Sequence, residues 1–223
     1  FSAPSGMAIS LDGSFALVSE QNGNRIRNIM LDTNGDVISS SLVAGSIAGT
    51  AGVTDGIGSS ARFDEPFGLA ITSDMLYAIV GDRFNKKLRK IVLSTRQVTT
   101  LATLGIGNPL GIFLGGLGDF ILVASWSHSI FKVLYPSGTV STFAGNGQIE
   151  TFDSSSGLLA KFNTPIGIDV WKCWIQGYGT YSSSSVCSIC PAGTYGPGNG
   201  LCVSCPGGTC LLYTSPSPRD AHE

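Results

Sequence analysis

Short apolar runs separated by polar turns recur along this chain in the same order. Each series begins with a Pro-x-Gly-hydrophobic motif, and full copies of Phe-x-x-Pro-x-Gly start at Phe1, Phe63 and Phe162. A shortened copy, Gly107-Asn108-Pro109-Leu110-Gly111-Ile112, lies between the second and the third. Such recurrence is typical of radial or stacked repeat proteins, because no single unit can bury its apolar face alone.

Four strands are predicted in each repeat. A short apolar strand follows the Pro-x-Gly, and the next run has the aliphatic and aromatic content of a strand buried on both faces. The third strand alternates apolar and polar residues, and a weaker fourth strand closes the unit. The second strands are 15–20, 76–82 and 120–125, the third are 25–29, 87–91 and 129–133, and the fourth are 37–43, 98–102 and 140–144. Four strands per unit favour propeller blades over a sandwich.

The repeats resemble the NHL-repeat β-propellers over about residues 1–170. The likeness rests on the Pro-x-Gly start, on the acidic residue that closes the second strand in two copies (Glu20, Asp82), and on the Asn/His-Arg-Ile-Arg-like third strand. Glycine-rich stretches at 44–63 and 144–162 match the connection between blades in that family. The resemblance implies a disc of blades with a ligand surface on one face. We expect Glu20 and Asp82 to accept hydrogen bonds from the following turn.

The predicted ring is incomplete. Three blades and the start of a fourth are too few to close a propeller, which generally has about four to eight. The chain does not begin with Met, and the fourth series stops near Val170. We therefore expect a propeller fragment over 1–170, truncated at its amino end and interrupted near Val170. Residues 210–223 resemble the in-frame translation of a sequencing-library adapter and are excluded as a non-native tail, with a Pro/Ser-rich linker as the alternative.

Cysteines are absent from the first 172 residues and dense afterwards, which marks a domain boundary. In residues 171–209 a Gly-Thr-Tyr precedes each of two Cys-x-x-Cys pairs. This pattern resembles the ephrin-receptor-like cysteine-rich repeats of extracellular proteins over about residues 179–209. The cysteines concerned are Cys173, Cys187, Cys190, Cys202 and Cys205.

Two chemistries compete for these cysteines. The spacing of the two pairs would permit a four-sulfur zinc site. Against zinc, Pro191 and Pro206 directly follow the pairs and have no N–H to stabilise a thiolate. The segment also has almost no aliphatic core and needs covalent staples to hold a shape. We favour a small disulfide-rich tail, whose pairing stays open and in which Cys173 has no fitting partner, and hence an extracellular location.

Composition and charge bear on the partners. The chain is 43% hydrophobic and 13% charged, and its net charge is -2. This charge does not provide the basic surface that nucleic-acid binding requires, so a nucleic acid is not expected as a partner. The best basic cluster alternates through a predicted strand and is interpreted as one solvated blade face. It consists of Arg83, Lys86, Lys87, Arg89 and Lys90. No stretch of about 18 apolar residues suggests a membrane span, although an anchor in sequence outside this fragment stays open.

Enzyme chemistry has little support in the residues. Some propellers of this kind hold a metal on the central axis with His, Asp or Glu from several blades. The one histidine outside the excluded tail, His128, occupies a turn position equivalent to Asn24 and Lys86, which favours a turn role. No Gly-x-Ser-x-Gly elbow occurs, and Asp55-Gly56-Ile57-Gly58 favours a tight turn over a cation or phosphate loop. No catalytic residue, metal or cofactor is therefore predicted.

The predicted function is non-catalytic binding of a protein or a carbohydrate on a propeller face, within a larger extracellular multidomain protein. Trp126, in an inter-strand turn, is a candidate anchor, with packing against the next blade as its alternative. Arg83 and Lys86 are further candidates on the ligand face. Two other functions stay open: a propeller enzyme of the metal-dependent lyase or lactonase type with its ligands in missing blades, and an intracellular scaffold with a zinc-binding tail.

Overall fold

The computed structural model describes residues 1–105, 107–115 and 118–168, and the backbone of 194–195 and 203–204. The chain divides into two compact units, Phe1–Asp169 and Val170–Glu223. The five candidate disulfide cysteines and the segment 210–223 lie outside the described residues. Within the described ranges, no helix is long and apolar enough to cross a membrane.

The first unit consists of three antiparallel sheets, each formed by one repeat. Blade 1 has the order β1-β2-β3-β4: β1 (Pro4–Ile9), β2 (Phe15–Glu20), β3 (Arg25–Leu31) and β4 (Val37–Gly45). Blade 2 has the order β5-β9-β8-β7-β6: β5 (Gly56–Ile57), β6 (Pro66–Ile71), β7 (Tyr77–Asp82), β8 (Lys87–Val92) and β9 (Gln97–Thr103). Blade 3 has the order β10-β11-β12-β13: β10 (Pro109–Leu114), β11 (Phe120–Ser125), β12 (Ser129–Leu134) and β13 (Val140–Ala144).

Outside the three blades, the regular structure is short. Turns of 3-10 helix at Gly58–Ser60 and Gly157–Leu159 lie in the connections that follow blades 1 and 3. In the second unit, β14 (Thr194–Tyr195) pairs antiparallel with β15 (Val203–Ser204). The fold of the described residues is all-β and propeller-like, as predicted.

The first strand of each blade starts earlier than the apolar run indicates, because the Pro-x-Gly motif itself belongs to the strand. The proline pairs with the last residue of the second strand, as in Pro4 with Glu20, Pro66 with Asp82 and Pro109 with Ser125. A register shift follows each proline before regular pairing begins. The motif therefore forms a β-bulge at the start of every first strand.

Blade 2 is buried on both faces, so each junction between blades has its own core. In β7, Ala78 and Val80 belong to the cluster shared with blade 1, whereas Ile79 belongs to the cluster shared with blade 3. All three are fully buried. This alternation within one strand explains why the second strand reads as a continuous apolar run.

The glycines of the Pro-x-Gly motifs allow the first strands to approach one another closely. A Cβ at Gly6 or Gly68 would overlap the carbonyl oxygen of Phe67 or Leu110, respectively. A Cβ at Gly111 would lie 2.5 Å from the carbonyl oxygen of Ile166. Each of these carbonyls belongs to the middle residue of the next Pro-x-Gly, so each of these three glycines lies against the backbone of the following repeat.

A second contact ties the turn after β2 or β11 to the following repeat. The Glu65 N–H donates to Asn24 Oδ1 at 2.8 Å, and the Thr164 N–H donates to His128 Nδ1 at 3.0 Å. Both donors directly precede the motif proline, and all four residues have positive φ, between 49° and 59°. His128 therefore has the turn role that its alignment with Asn24 predicts.

Replacement of His128 tests this contact. His128→Asn is expected to keep the wild-type free energy of unfolding, because asparagine tolerates positive φ and serves as the acceptor at position 24. His128→Gly also tolerates positive φ but removes the acceptor, so it should be less stable than His128→Asn by about 1 kcal/mol. Urea unfolding of the two variants measures the difference, and equal midpoints would contradict the role of the hydrogen bond.

Candidate functional site

One turn position contributes to the same surface from all three blades. It is the residue that directly follows the second strand, which is Gln21 in blade 1, Arg83 in blade 2 and Trp126 in blade 3. The Trp126 N–H donates to the Asn108 carbonyl at 3.0 Å, which fixes the turn against the start of β10. The repeat thus places three chemically different side chains at equivalent points of three rigid blades.

Glu65, from the connection before β6, joins the first two of these side chains. Its Oε2 accepts a hydrogen bond from Gln21 Nε2 at 2.6 Å and an ion-pair contact from Arg83 Nη1 at 2.8 Å. The side chains of Arg83 and Glu65 are 16% and 28% exposed. Asn24 Oδ1 also accepts a hydrogen bond from the backbone N–H of Glu65, so both the main chain and the side chain of Glu65 are fixed.

Aromatic rings surround the guanidinium of Arg83. Its Cζ lies 4.8 Å from the ring centroid of Phe84, 5.2 Å from that of Trp126 and 6.0 Å from that of Phe67. These distances are within the range of cation–π attraction. Trp126 and Phe84 remain 49% and 48% exposed. We name this surface the Arg83 patch; it consists of Gln21, Glu65, Phe67, Arg83, Phe84 and Trp126.

Of the sequence-predicted candidates, the structure brings Arg83 and Trp126 together. Lys86 lies exposed in the same turn, with φ of 56°, and its side chain makes no hydrogen bond or ion pair with the described residues. Sequence reasoning missed Glu65, Gln21 and Phe84. Both Gln21 and Phe84 could have been identified from the sequence. Gln21 aligns with Arg83 and Trp126 in the repeat, and Phe84 is an apolar residue in a polar turn.

The interpretation of the basic cluster as one solvated face is wrong for Arg89. Its side chain is fully buried, because the alternation of β8 directs it into the junction with blade 1 and the connection before β6 covers it. Arg89 Nη1 lies 2.6 Å from Asp82 Oδ2, and Arg89 Nη2 lies 2.7 Å from Asp55 Oδ1. The guanidinium also donates to the carbonyls of Arg62 and Thr54, each at 3.1 Å.

The hydrogen-bond partners of the acidic residues that end the second strands, Glu20 and Asp82, also differ from those expected. Asp82 accepts from Arg89, from Asn85 Nδ2 at 2.9 Å and from the Asp64 N–H at 2.8 Å, so its backbone donor precedes the blade instead of following the strand. Burial raises the pKa of the Asp82 carboxyl, and these three hydrogen bonds oppose the rise. Glu20, equally buried, pairs with Arg25. Both carboxylates are committed to structural ion pairs.

Asp55 also has a role that its sequence context did not indicate. The turn expected at 55–58 begins only at Gly58, since Gly56–Ile57 forms β5 and pairs with β9, and Gly58–Ser60 forms the 3-10 turn. The Asp55 carboxylate accepts from Arg89 and from the Thr100 N–H, the latter at 3.1 Å. The described residues contain no group of three His, Cys, Asp or Glu side chains placed to hold a metal ion.

Comparisons with known proteins agree with the repeat pattern. No protein-family model matches the chain. It is 29% identical to NHL repeat-containing protein 2 of Homo sapiens, over 55% of this chain and 22% of that protein. It is 27% identical to NHL repeat-containing protein 2 of Bos taurus, over 64% of this chain and 22% of that protein. The chain thus spans about a fifth of the length of these curated relatives.

Solved structures extend the likeness to the fold. A protein of unknown function from Bacteroides thetaiotaomicron superposes with a TM-score of 0.54 at 15% identity, over 74% of this chain and 41% of that chain. At this identity the likeness concerns the fold alone. Together with the curated relatives, it supports NHL-type repeats on a propeller-like scaffold.

Proposed function

We propose that this chain is a non-catalytic binding module of a larger protein and that the Arg83 patch binds a protein ligand. The observation that carries the proposal is the guanidinium of Arg83 held between half-exposed Trp126 and Phe84. Tryptophan and arginine are enriched among the residues that dominate protein–protein binding energies. The similarity to NHL repeat-containing proteins supports a propeller binding module in general terms.

The rigidity of the patch supports a binding role. Arg83 is fixed by the Glu65 ion pair and by three rings, so little side-chain entropy is lost when a ligand arrives. Glu65 itself is held by two other residues, Gln21 and Asn24. A preorganised aromatic surface of this kind gains affinity mainly from the apolar area that a partner buries.

The charges of the patch favour apolar contact over anion capture. The carboxylate of Glu65 offsets the guanidinium of Arg83, and the whole chain carries a net charge of -2. A phosphate-rich partner would meet at the Arg83 patch a cation that is already paired, with Lys86 as the one exposed cation in the same turn. A carbohydrate could stack on Trp126, and sugar binding is therefore the competing outcome of the test.

Binding assays with the full chain test the proposal. Immobilised protein is probed against an array of ectodomain proteins and an array of glycans, and each hit is measured again with Trp126→Ala. We expect protein hits whose affinity falls at least about 30-fold in Trp126→Ala, which is the effect of losing a hot spot of about 2 kcal/mol. Phe143→Ala, an equally exposed aromatic residue on β13, is the matched control and should bind like wild type.

Two results would contradict the proposal. Protein hits that are insensitive to Trp126→Ala would place the binding surface elsewhere, and hits confined to glycans would identify a lectin-type site instead. Because Trp126 is 49% exposed, its replacement should leave the unfolding midpoint close to wild type, so that lost binding is not lost folding.

The proposed setting is extracellular, with the cysteine-rich segment as a spacer. It rests on the clustering of Cys173, Cys187, Cys190, Cys202 and Cys205 and on the two prolines that disfavour zinc. Mass spectrometry after alkylation without reductant distinguishes the alternatives. Cysteines that stay unalkylated in denaturant, in a protein without bound zinc, would support disulfides. Cysteines that are alkylated once the protein is denatured, in a protein that contains stoichiometric zinc, would support an intracellular scaffold.

A further inference from the structure

A second surface feature lies at the other end of the strands that begin near the Arg83 patch. It is a cavity of about 410 Å³ bordered by all three blades. Its volume lies within the range of about 300 to 1,000 Å³ that is usual for small-molecule sites. The cavity shares no lining residue with the Arg83 patch.

The walls of the cavity are apolar because the repeat places equivalent residues there. Ile9, Ile71 and Leu114 are the last residues of β1, β6 and β10, and all three line the cavity. Tyr77 and Tyr135 add two aromatic rings. This wall offers an apolar surface to the body of a ligand, with two phenol groups for polar contact.

One ionised group stands among the described residues of the lining. Asp74 accepts hydrogen bonds from the Thr72 hydroxyl at 2.5 Å and from the Leu76 N–H at 2.9 Å, and these bonds lower the pKa of its carboxyl. Both donors are neutral, and Asp74 forms no ion pair within the described ranges. The negative charge of Asp74 is therefore held in place but not offset.

The phenol of Tyr135 is a second polar group in the lining of the cavity. Burial raises the pKa of the Tyr135 phenol, with smaller contributions from Tyr77 and Asp74. The phenol O–H can donate a hydrogen bond to a ligand. The ammonium of Lys90 lies 5.1 Å from the centroid of the Tyr77 ring, but Lys90 does not line the cavity. A cationic group at the rim would meet a carboxylate and the rings of two tyrosines.

We propose that this cavity binds a small amphipathic cation of the arylalkylamine class. The apolar body packs against Ile9, Ile71 and Leu114, and the ammonium group contacts the Asp74 carboxylate at the exposed rim. Since the rim is solvated, the carboxylate supplies a modest preference for charge, and the apolar wall supplies most of the affinity. The proposal is independent of the ligand suggested for the Arg83 patch.

Three probes of matched shape test the proposal on the full chain. They are 2-phenylethylamine, 2-phenylethanol and 3-phenylpropanoate, which are cationic, neutral and anionic at neutral pH. Protein-observed NMR titration at low ionic strength should rank them in that order, with shifts confined to the residues of the cavity. Asp74→Asn should reduce the affinity for 2-phenylethylamine about threefold to fivefold and leave that for 2-phenylethanol unchanged.

The chain provides a matched control for charge. Asp12 occupies the corresponding turn of blade 1 and accepts from the Ser14 N–H at 3.0 Å, yet it does not line the cavity. Asp12→Asn should leave all three affinities unchanged. Ile9→Trp, which fills the cavity from an exposed position at the end of β1, should abolish the binding of every probe.

The following results would overturn the proposal. Equal affinities for the amine and the alcohol would remove the role of charge. Equal losses of affinity for 2-phenylethylamine in Asp74→Asn and Asp12→Asn would show that the effect comes from the overall charge of the protein and not from a contact with Asp74. Shifts that map elsewhere, or binding that persists in Ile9→Trp, would place the probes outside the cavity.

Discussion

Replacement of Arg89 by methionine is expected to lower the free energy of unfolding by about 3–5 kcal/mol, the usual effect of removing one partner from a buried ion pair. Arg89 and Asp82 are both 0% exposed. Without the guanidinium, the Asp82 carboxylate would lose its cationic partner, and the carbonyls of Arg62 and Thr54 would lose a donor. Urea or thermal unfolding measures the loss.

Two further variants identify the ion pair as the cause. Lys87→Met changes a half-buried cation on the same strand that forms no ion pair with the described residues, and it should stay within about 0.5 kcal/mol of wild type. The double replacement Arg89→Met with Asp82→Leu should recover part of the loss, because it leaves no unpaired buried charge. Equal stability of Arg89→Met and Lys87→Met would contradict the structural role of Arg89.

The effect of Arg89→Met should also depend on pH. Burial already raises the pKa of Asp82, and removal of the cation should raise it further. The folded variant then binds more protons than the unfolded chain above the ordinary carboxyl pKa, so its stability falls as the pH rises through that window. The deficit relative to wild type should therefore be smaller near pH 4 than near pH 7, and a larger deficit in acid would contradict this sign.

Gly68→Ala is expected to destabilise the protein by roughly 3 kcal/mol, at the upper end of the usual cost of overpacking. The added methyl group would overlap the Leu110 carbonyl oxygen and lie 3.3 Å from the Cα of Gly111. These are backbone atoms, so relief requires that the first strands of blades 2 and 3 move apart. A shift of the urea midpoint without a change in slope would identify a loss of stability in an intact fold.

Gly167→Ala provides the comparison within the same motif. A Cβ at Gly167 meets no heavy atom within 4 Å among the described residues, so alanine should be accepted there with little change. Similar losses at positions 68 and 167 would show that the cost does not depend on the approach of the next blade. A loss confined to position 68 would show that it comes from the approach of the next blade.

The strands could be predicted because their signals are local and repeated. The alternation along 25–29 and the apolar run at 120–125 each specify a strand without reference to any other part of the chain. Recurrence of the series then indicates the architecture. The sequence pattern was therefore sufficient for the blades and for their order along the chain.

The surroundings of individual polar side chains could not be predicted in the same way. The pattern along β8 gives the face on which Arg89 lies, but its partner Asp55 comes from a connection that has no periodicity. Likewise, Gln21, Glu65 and Arg83 meet only because two blades pack side by side. Trp126 differs from these residues, because an exposed aromatic residue in a turn is by itself a candidate for ligand contact.

The junction of Pro-x-Gly motifs has a consequence for the evolution of such proteins. The same glycine-to-carbonyl approach joins Gly6 to Phe67 across a long connection and Gly68 to Leu110 across a short one. Because this contact is formed by backbone atoms, a duplicated unit can pack its first strand against the first strands of both neighbouring units, whatever its other side chains are. Gene duplication or unequal recombination can thus change the number of units without inventing a new inner contact, which leaves the outer loops free to diverge.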